Sequence, residues 1–572
     1  MPDRPTSKRP KPSRPISPRP VRPLRPVPAH LLDQAVHAKQ DPISRREFLA
    51  QASSFGASTA AAYAALGLPA PAQADEPSVT QADMAIVRIQ MTVRALRDPR
   101  RYDWFQAANV SRGWLEYLVS YENDGTFRGQ LLESWEISDD ATRYVLNLRP
   151  GVRWNDGNAF TAEDVIRNIA RWCERDVPGN SMAGRFAVLV DPATGQLRAG
   201  AVMQSGPDQV TLRLPRPDIS LIAGMADYPA AIVPEGFDPA TMLDAPIGTG
   251  PYLPEIVEPG VRAILVRNED HTWWNAGKGA WMQRIEFIDT GTDPSAALTA
   301  ARAGEIDMTH SIQDPFIDAF GALDGWDQNE IDTAATIVIR PNQLAEVDGE
   351  RPYSDLRVRR ALQLAVSNEV VLELGYGNRG AVAENHHIAP LHPEYAPLPA
   401  PQYDPAAARA LMAEAGMAEF EHNLISLDDG WRRDTCDAVA AFLTDAGIKV
   451  RRTILPGPEY WAGWARFAYS STDWGHRPLG VQTYALAYRT NEAWNEFGWS
   501  DAAFDAMLEQ ALATLDIEVR RRLMAQLQTM VQDAGVTVQP YWRRLYNHTR
   551  KGLAGGAHHI GFEIRPAELR WT

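Results

Sequence analysis

The sequence predicts an α/β protein of two or three domains. Three observations carry that expectation. A chain of 572 residues is far longer than one hydrophobic core usually organises. Segments with strand periodicity, such as Tyr144, Leu146 and Leu148 alternating with Val145, Asn147 and Arg149, recur between segments with helix starts and stops. Hydrophobic residues make up 45% of the chain and include 17 Trp, enough for large cores. The net charge of −15 is unevenly spread. Residues 1–74 hold 11 basic and four acidic side chains, a net +7, which leaves −22 on the remainder. An acidic body argues against nucleic acid or an anionic membrane as the partner. Two cysteines, Cys173 and Cys436, make neither a disulfide framework nor a zinc cluster, and read as buried thiols.

The first 74 residues read as a leader. Residues 1–43 begin Pro- and Arg-rich with almost no apolar content, which predicts disorder. Residues 44–74 carry Ser44-Arg45-Arg46-Glu47-Phe48-Leu49, a twin-arginine export pattern. The Ala-rich stretch Ala57 to Leu68 is too short and too weakly apolar to span a membrane. Ala72-Gln73-Ala74 is an A-x-A site, so cleavage is expected after Ala74. The twin-arginine export machinery is then a partner, and the periplasm the destination.

The remaining elements follow in order. Met84 to Val93 alternates as a first strand, and Gly113 to Val119 is assigned a helix. Ser138-Asp139-Asp140 and Asn155-Asp156-Gly157 are turn formers on either side of the strand around Tyr144. Thr161 and Asp164 form a capping box, with Asp in place of Glu, for a helix through Trp172. A strand pair is expected from Met203 to Leu214 around Gly206-Pro207-Asp208. In Pro246-Ile247-Gly248-Thr249-Gly250-Pro251-Tyr252 the glycines permit close backbone approach. Ile285 to Ile288 reads as a strand, Ala297 to Ala303 as a helix and Thr336 to Arg340 as a strand. Helices start at Ser354-Asp355 and at Asp404-Pro405, the second ending on Gly416, and a third runs from Asp434 to Ala446. Ile448 to Ile454 is a strand, Ala502 to Gln532 strongly helical, and Thr537 to Tyr546 a returning strand.

The wording of these segments is specific. Glu133-Ser134-Trp135, the Ser138-Asp139-Asp140 turn, Leu148-Arg149, Gly151-Val152, Asp156-Gly157 and Phe160-Thr161-Ala162-Glu163-Asp164-Val165 resemble the signature of the family 5 solute-binding proteins, the peptide- and nickel-type receptors of ABC importers. Gly248-Thr249-Gly250-Pro251-Tyr252, Gly304-Glu305-Ile306-Asp307, Asp355-Leu356-Arg357-Val358-Arg359 and Tyr403-Asp404-Pro405 continue the likeness in the family's order over nearly the whole mature chain. The resemblance implies a large two-lobed periplasmic-binding-protein type II fold with an extra inserted subdomain. Lobe I would comprise residues 75–120, 245–335 and 538–572, the inserted subdomain 121–244, and lobe II 336–537. It further implies a monomer without cofactor that captures a small solute between its lobes and delivers it to the permease subunits of an ABC importer.

The likeness also directs attention to particular residues. In the family's peptide receptors one segment reads Trp-x-x-Asp-x-x-Asp-Pro, and its first aspartate pairs with the ligand's α-ammonium. Trp474-Gly475-His476-Arg477-Pro478 stands there in this chain, with Arg477 in the acid's place. A buried guanidinium favours carboxylate or phosphate and repels a free amine. The expected solute is therefore peptide-like or opine-like, anionic or N-blocked, unless Arg477 pairs with Asp473 or another protein acid. Asp428, Trp431, Arg432 and Arg433 lie at a helix start that can favour anions, and an arginine of this loop binds the ligand carboxylate in dipeptide receptors. Tyr484, Tyr488 and Trp494 offer stacking walls.

Two other classes are open to this sequence. His386, His387 and His476, with His392 near, would suit a nickel or other metal complex on the same fold. A twin-arginine-exported periplasmic enzyme would need a catalytic motif. The sequence holds no H-E-x-x-H, C-x-x-C, G-x-S-x-G or G-x-x-x-x-G-K-[ST], so a non-enzyme is expected.

Overall fold

The computed structural model describes residues 25–39, 42–71 and 85–572. Its centre is an 11-stranded sheet. The order is Val450–Leu455, His422–Leu427, Tyr469–Trp474, Trp326–Pro341, Tyr541–Arg550, Met308–Thr309, Ile86–Gln90, Arg284–Ile288, Arg262–Arg267, Tyr252–Glu258, and Gly380–Val382 pairs off this path with Tyr541–Arg550. His422–Leu427 runs parallel to both Val450–Leu455 and Tyr469–Trp474 in one half. Ile86–Gln90 runs parallel to Arg284–Ile288 and Met308–Thr309 in the other. Trp326–Pro341 and Tyr541–Arg550 are antiparallel and join the two halves. Their register runs from Trp326↔Arg550 to Asp332↔Arg544, then shifts to Thr336↔Trp542. Beyond the shift the 326–341 strand takes Tyr469–Trp474 as a second partner, and every residue from Thr333 to Pro341 is buried.

Separate cores fill the halves. Ile337, Ile339, Val358, Leu362, Val371, Leu424, Val439 and Leu443 belong to one core. The other is larger, and includes Trp114, Tyr144, Leu146, Val165, Trp172, Leu265 and Phe287. A separate four-stranded antiparallel sheet, ordered Leu132–Ile137, Arg143–Leu148, Gln209–Arg213, Val202–Gly206, contributes to this larger core. Val481, Tyr484, Leu508, Met524 and Leu527 also pack into the larger core. Residues 479–531, drawn within lobe II on the sequence, thus share apolar packing with the first half.

Several local expectations are met for their stated reasons. Thr161 caps the helix Ala162–Trp172, with its N–H bonded to Asp164 at 2.8 Å. A Cβ on Gly248 would lie 2.0 Å from the Trp114 carbonyl oxygen, so only glycine fits. That close approach also corrects the helix expected at 113–119. Gly250 and Tyr252 donate their N–H groups to the carbonyls of Trp114 and Gly113, both at 2.9 Å. The helix lies earlier, at Phe105–Ser111, and a strand Val119–Tyr121 follows. The helical stretch 502–532 is two helices, Ala502–Ala513 and Ile517–Asp533, because Asp516 caps the second through the Val519 N–H.

The N-terminal segment, expected to be a leader, differs most. The disorder expected over 1–43 does not extend to Leu32–Ala38, which is helical. Residues 1–24 and the cleavage site at Ala74 lie outside the described residues. The twin arginines fall within the helix Pro42–Ser54, whose Phe48 and Leu49 are buried. Arg46 donates to the Asn123 carbonyl at 2.8 Å and to the Tyr121 hydroxyl at 3.3 Å. Glu47 pairs with Arg521, Trp135 Nε1 donates to Ser54 O at 2.8 Å, and Tyr63 donates to Asp124 at 2.8 Å. The N-terminal segment therefore lies against the body with buried polar pairing, a docking that no local pattern in 42–71 encodes.

Arg340, on the shared strand, is fully buried against Glu496 at 2.6 Å and donates to the Phe467 carbonyl at 3.0 Å. Glu496 also accepts from Trp474 Nε1 at 2.8 Å. Removing one partner of a buried pair strands the other charge. Glu496→Ala is expected to destabilise by about 3–5 kcal/mol, read from the denaturant midpoint; a loss below about 1 kcal/mol would deny the pair that role.

Candidate functional site

Between the two halves lies a cavity of about 130 Å³. Gln90 ends the strand Ile86–Gln90, and Phe105 and Gln106 open the helix Phe105–Ser111. His310 and Ser311 follow Met308–Thr309. From the opposite half come Asp429 and Arg432 at the start of the helix Gly430–Asp445, and Asp473 from Tyr469–Trp474. Arg543 is supplied by the shared strand. All of these line the cavity, together with Phe562.

Arg432 is the organised cation of this wall. Its Nε donates to Asp473 at 2.8 Å, and a terminal nitrogen to Asp429. Burial opposes ionisation of Asp473, but Arg432 outweighs it and holds the carboxyl below the usual range. At Asp429 burial prevails and the carboxyl is raised despite the same arginine. His310 lies with Nε2 3.1 Å from the Phe562 carbonyl, and burial pushes its pKa down to about 4, so the ring is neutral at pH 7. Phe105 stacks on Phe562 with centroids 4.4 Å apart.

Most buried polar atoms of a folded chain find a hydrogen-bond partner. Here five that do not converge on this one cavity: Gln90 Oε1, Gln106 Oε1, Ser311 Oγ, Asp429 Oδ1 and Arg543 Nε. Each such atom costs about 1–3 kcal/mol if left unpaired. Residues of both halves that carry unpartnered polar atoms thus line one space, which suits a small polar molecule held between them.

Of the residues predicted from sequence, Arg432 lines this cavity. Trp431 stands behind it, with the Arg543 guanidinium 3.9 Å over its ring. Asp428 and Arg433 pair in solvent at 3.4 Å, their side chains 58% and 42% exposed, and take no part. Arg477 and His476 line a second, smaller cavity of about 30 Å³. Arg477 lies 3.2 Å from Asp227, which also holds Arg185 at 2.6 Å, so its partner is a protein acid of the inserted subdomain. His476 Nδ1 accepts the Ala334 N–H at 3.1 Å. This N–H sits within the register shift of the shared strands, so the imidazole supplies the acceptor that the ladder lacks there. Trp474 is committed to Glu496, and Trp494 stacks on Tyr228 at 6.2 Å. Tyr484 donates to the His386 carbonyl at 2.7 Å, and the Tyr488 hydroxyl lies 3.0 Å from His387 Nδ1. These aromatics are core, not stacking walls of the larger cavity.

The histidine cluster is likewise internal. His386 lies 3.0 Å from Glu384, His387 bonds Tyr488, and His392 Nε2 is 3.1 Å from the Arg477 carbonyl. Among the described residues no group of three or more His, Cys, Asp or Glu is placed to hold a metal ion. The metal-complex reading built on His386, His387 and His476 therefore finds no coordinating geometry. Sequence reasoning missed Arg543, Asp429, Asp473, His310, Gln90 and Gln106. An arginine inside a buried strand was the one local signal for Arg543.

Comparison with known proteins agrees with this architecture. Residues 126–496 match the family model described as bacterial extracellular solute-binding proteins, family 5 Middle, and the chain belongs to that family. It is 24% identical over 511 residues to the probable peptide ABC transporter periplasmic-binding protein y4tO of Sinorhizobium fredii, covering 82% of this chain and 91% of that one. It is 24% identical over 486 residues to the glutathione-binding protein GsiB of Pectobacterium atrosepticum, covering 79% and 85%. Among solved structures, the Escherichia coli murein tripeptide binding protein MppA superposes with a TM-score of 0.75 at 18% identity, covering 86% of this chain and 99% of that one. The binding protein AgaA from A. tumefacien R10, in complex with agropinic acid, gives 0.73 at 18%, covering 85% and 99%. These likenesses establish the two-lobed binding-protein fold.

The buried histidines make a pH prediction. Burial lowers the pKa of eight of the chain's 12 histidines: His310, His422, His548 and His559 to about 4, His392 and His558 to about 3, and His387 and His476 well below the ordinary value. As pH falls through about 6.5, the unfolded chain gains protons that the folded chain refuses. Stability is then lost between pH 6.5 and the folded values, at up to about 1.4 kcal/mol per pH unit for each group. Tm should be nearly flat from pH 8 to 7 and drop steeply from 6.5 to 4.5. A flat profile across that lower range would mean that these rings are not held neutral.

Proposed function

We propose that this chain is the periplasmic solute-binding subunit of an ABC importer, taking a small peptide-like or opine-like solute, anionic or N-blocked, between its lobes for delivery to the permease. The observation that carries this reading is the convergence of unpartnered buried donors and acceptors from both halves on the interlobe cavity. Family membership supports it, and so do relatives named for peptide and glutathione binding and structures named for a murein tripeptide and agropinic acid. The shared strands give the two halves a common hinge about which a closed form can be selected by solute. The cavity is near the size of one that admits benzene, which favours a compact solute over an extended peptide.

Protein purified from the periplasm should release a small molecule on denaturation in native mass spectrometry. Adding that molecule back at about a hundred times Kd should stabilise the fold by about 2.7 kcal/mol. Protein that carries no solute, and gains no stability from periplasmic extract, counts against the reading.

Export by the twin-arginine route is part of the same proposal, on the strength of Ser44-Arg45-Arg46-Glu47-Phe48-Leu49. Changing Arg45→Lys and Arg46→Lys together should leave the precursor in the cytoplasm in a fractionation experiment. Unchanged periplasmic yield in a strain lacking that machinery would dismiss the route.

A further inference from the structure

The deeper question is which chemical group of the solute the cavity reads. Among the described residues, three buried arginines of the halves and the inserted segment are spoken for. Arg432 is held by Asp429 and Asp473, Arg477 by Asp227, and Arg185 by Asp227. Arg543 differs. It is 3% exposed, it lines the cavity, and its Nε finds no acceptor. Among the described residues no carboxylate forms an ion pair with it; its neighbours are aromatic faces, Trp431 at 3.9 Å, Tyr376 at 5.2 Å and Phe562 at 5.9 Å. Stacking on rings contributes about 1–2 kcal/mol and fixes the plane of a guanidinium, but it satisfies none of the five N–H donors. A planar fork held by rings, close enough for its charge to act on Asp473 but bonded to no carboxylate among the described residues, is arranged to receive an oxyanion through two parallel hydrogen bonds.

We infer that Arg543 is the anchor for an oxyanion of the solute, a carboxylate by preference, and that Asp429 Oδ1 accepts a donor group of the same molecule. This rests on the solute-binding reading of the cleft. Among the described residues Arg432 holds both Asp429 and Asp473, and neither carboxylate is ion-paired with Arg543. Gln90, Gln106 and Ser311 then present unpaired oxygens to hydroxyl or amide groups along the rest of the solute. The anion-reading role that the sequence suggested for Arg477 thus passes to a residue on the shared strand, where both halves meet. A solute engaging Arg543 also reaches the opposing half through Gln90 and Gln106, which couples anion recognition to closure.

The test uses the full chain freed of bound solute, titrated with succinate, with its neutral counterpart succinamide and with inorganic phosphate, while following tryptophan emission. Trp431 packs directly beneath the guanidinium and serves as the reporter. Succinate should give a saturable change and succinamide none. A response to phosphate stronger than that to succinate would make the oxyanion a phosphate and overturn the carboxylate preference. Arg543→Gln should weaken succinate binding about 30-fold or more, and Arg543→Lys, which keeps the charge without the fork, should fall between. Arg433→Gln, on the exposed surface, should bind as wild type and controls for folding, together with near-UV circular dichroism. Equal binding by Arg543→Gln and wild type, or no saturable response to any anion, overturns the assignment. The two readings can fail separately. A periplasmic solute retained equally by folded Arg543→Gln removes the anchor and leaves solute binding intact. Arg543-dependent anion binding in a protein that carries no solute removes the transport reading and leaves the anchor.

Discussion

Both halves of this molecule hang from one antiparallel pair of strands, Trp326–Pro341 and Tyr541–Arg550. The strand Trp326–Pro341 packs into more than one core, which constrains how it twists and bends between them. The shift between Asp332 and Thr336 relieves that constraint by a local irregularity of the ladder. It also creates a debt of backbone hydrogen bonds, which side chains meet. Thr333 Oγ1 donates to the Arg543 carbonyl at 2.7 Å and accepts the Ala335 N–H at 3.0 Å, while His476 accepts the Ala334 N–H. The cavity between the halves lies beside this repair, since the strand whose carbonyl is tied there carries the Arg543 side chain to the cleft.

The buried arginines show how differently one side-chain type is used. Arg340 and Glu496 form a structural pair with further backbone acceptors for the guanidinium. Arg477 crosses from the loop after Tyr469–Trp474 to Asp227 and is flanked by Tyr228 and Trp494 at 5.4 and 5.8 Å, so it binds the inserted subdomain to the second half. Arg432 orders two acids of the cleft wall. In a low-dielectric interior the cost of desolvating such a charge is met only by complete hydrogen bonding. The groups with incomplete bonding are therefore the informative ones, and at this cleft they cluster in a single space.

Much of the scaffold was legible because its signals are local. The capping box at Thr161 and Asp164, the glycines at Gly248 and Gly250 and the caps at Asp355 and Asp404 act over a few residues, and the structure uses them as the sequence suggests. The helix expected at 113–119 failed because its carbonyls are taken by Gly250 and Tyr252, more than 130 positions away. The site was less legible for the same reason. Trp474, Tyr484, Tyr488 and Trp494 look alike whether they line a cavity or a core, and here they fill core. Arg477 and Arg543 look alike too, until Asp227 is seen beside one and three rings beside the other.

By itself, then, the sequence determined the family, through the likeness of its motifs, and the α/β class and many element boundaries, through short-range periodicity, capping and turn chemistry carried in contiguous residues. Only the tertiary structure decided which charges are paired within the fold and which line the cleft without an ion pair. That distinction depends on partners drawn from residues as far apart as Gln90, Asp429 and Arg543, and on a register shift between two strands more than 200 positions apart. No local pattern encodes such long-range pairing, because it is set by how two cores close around a shared pair of strands.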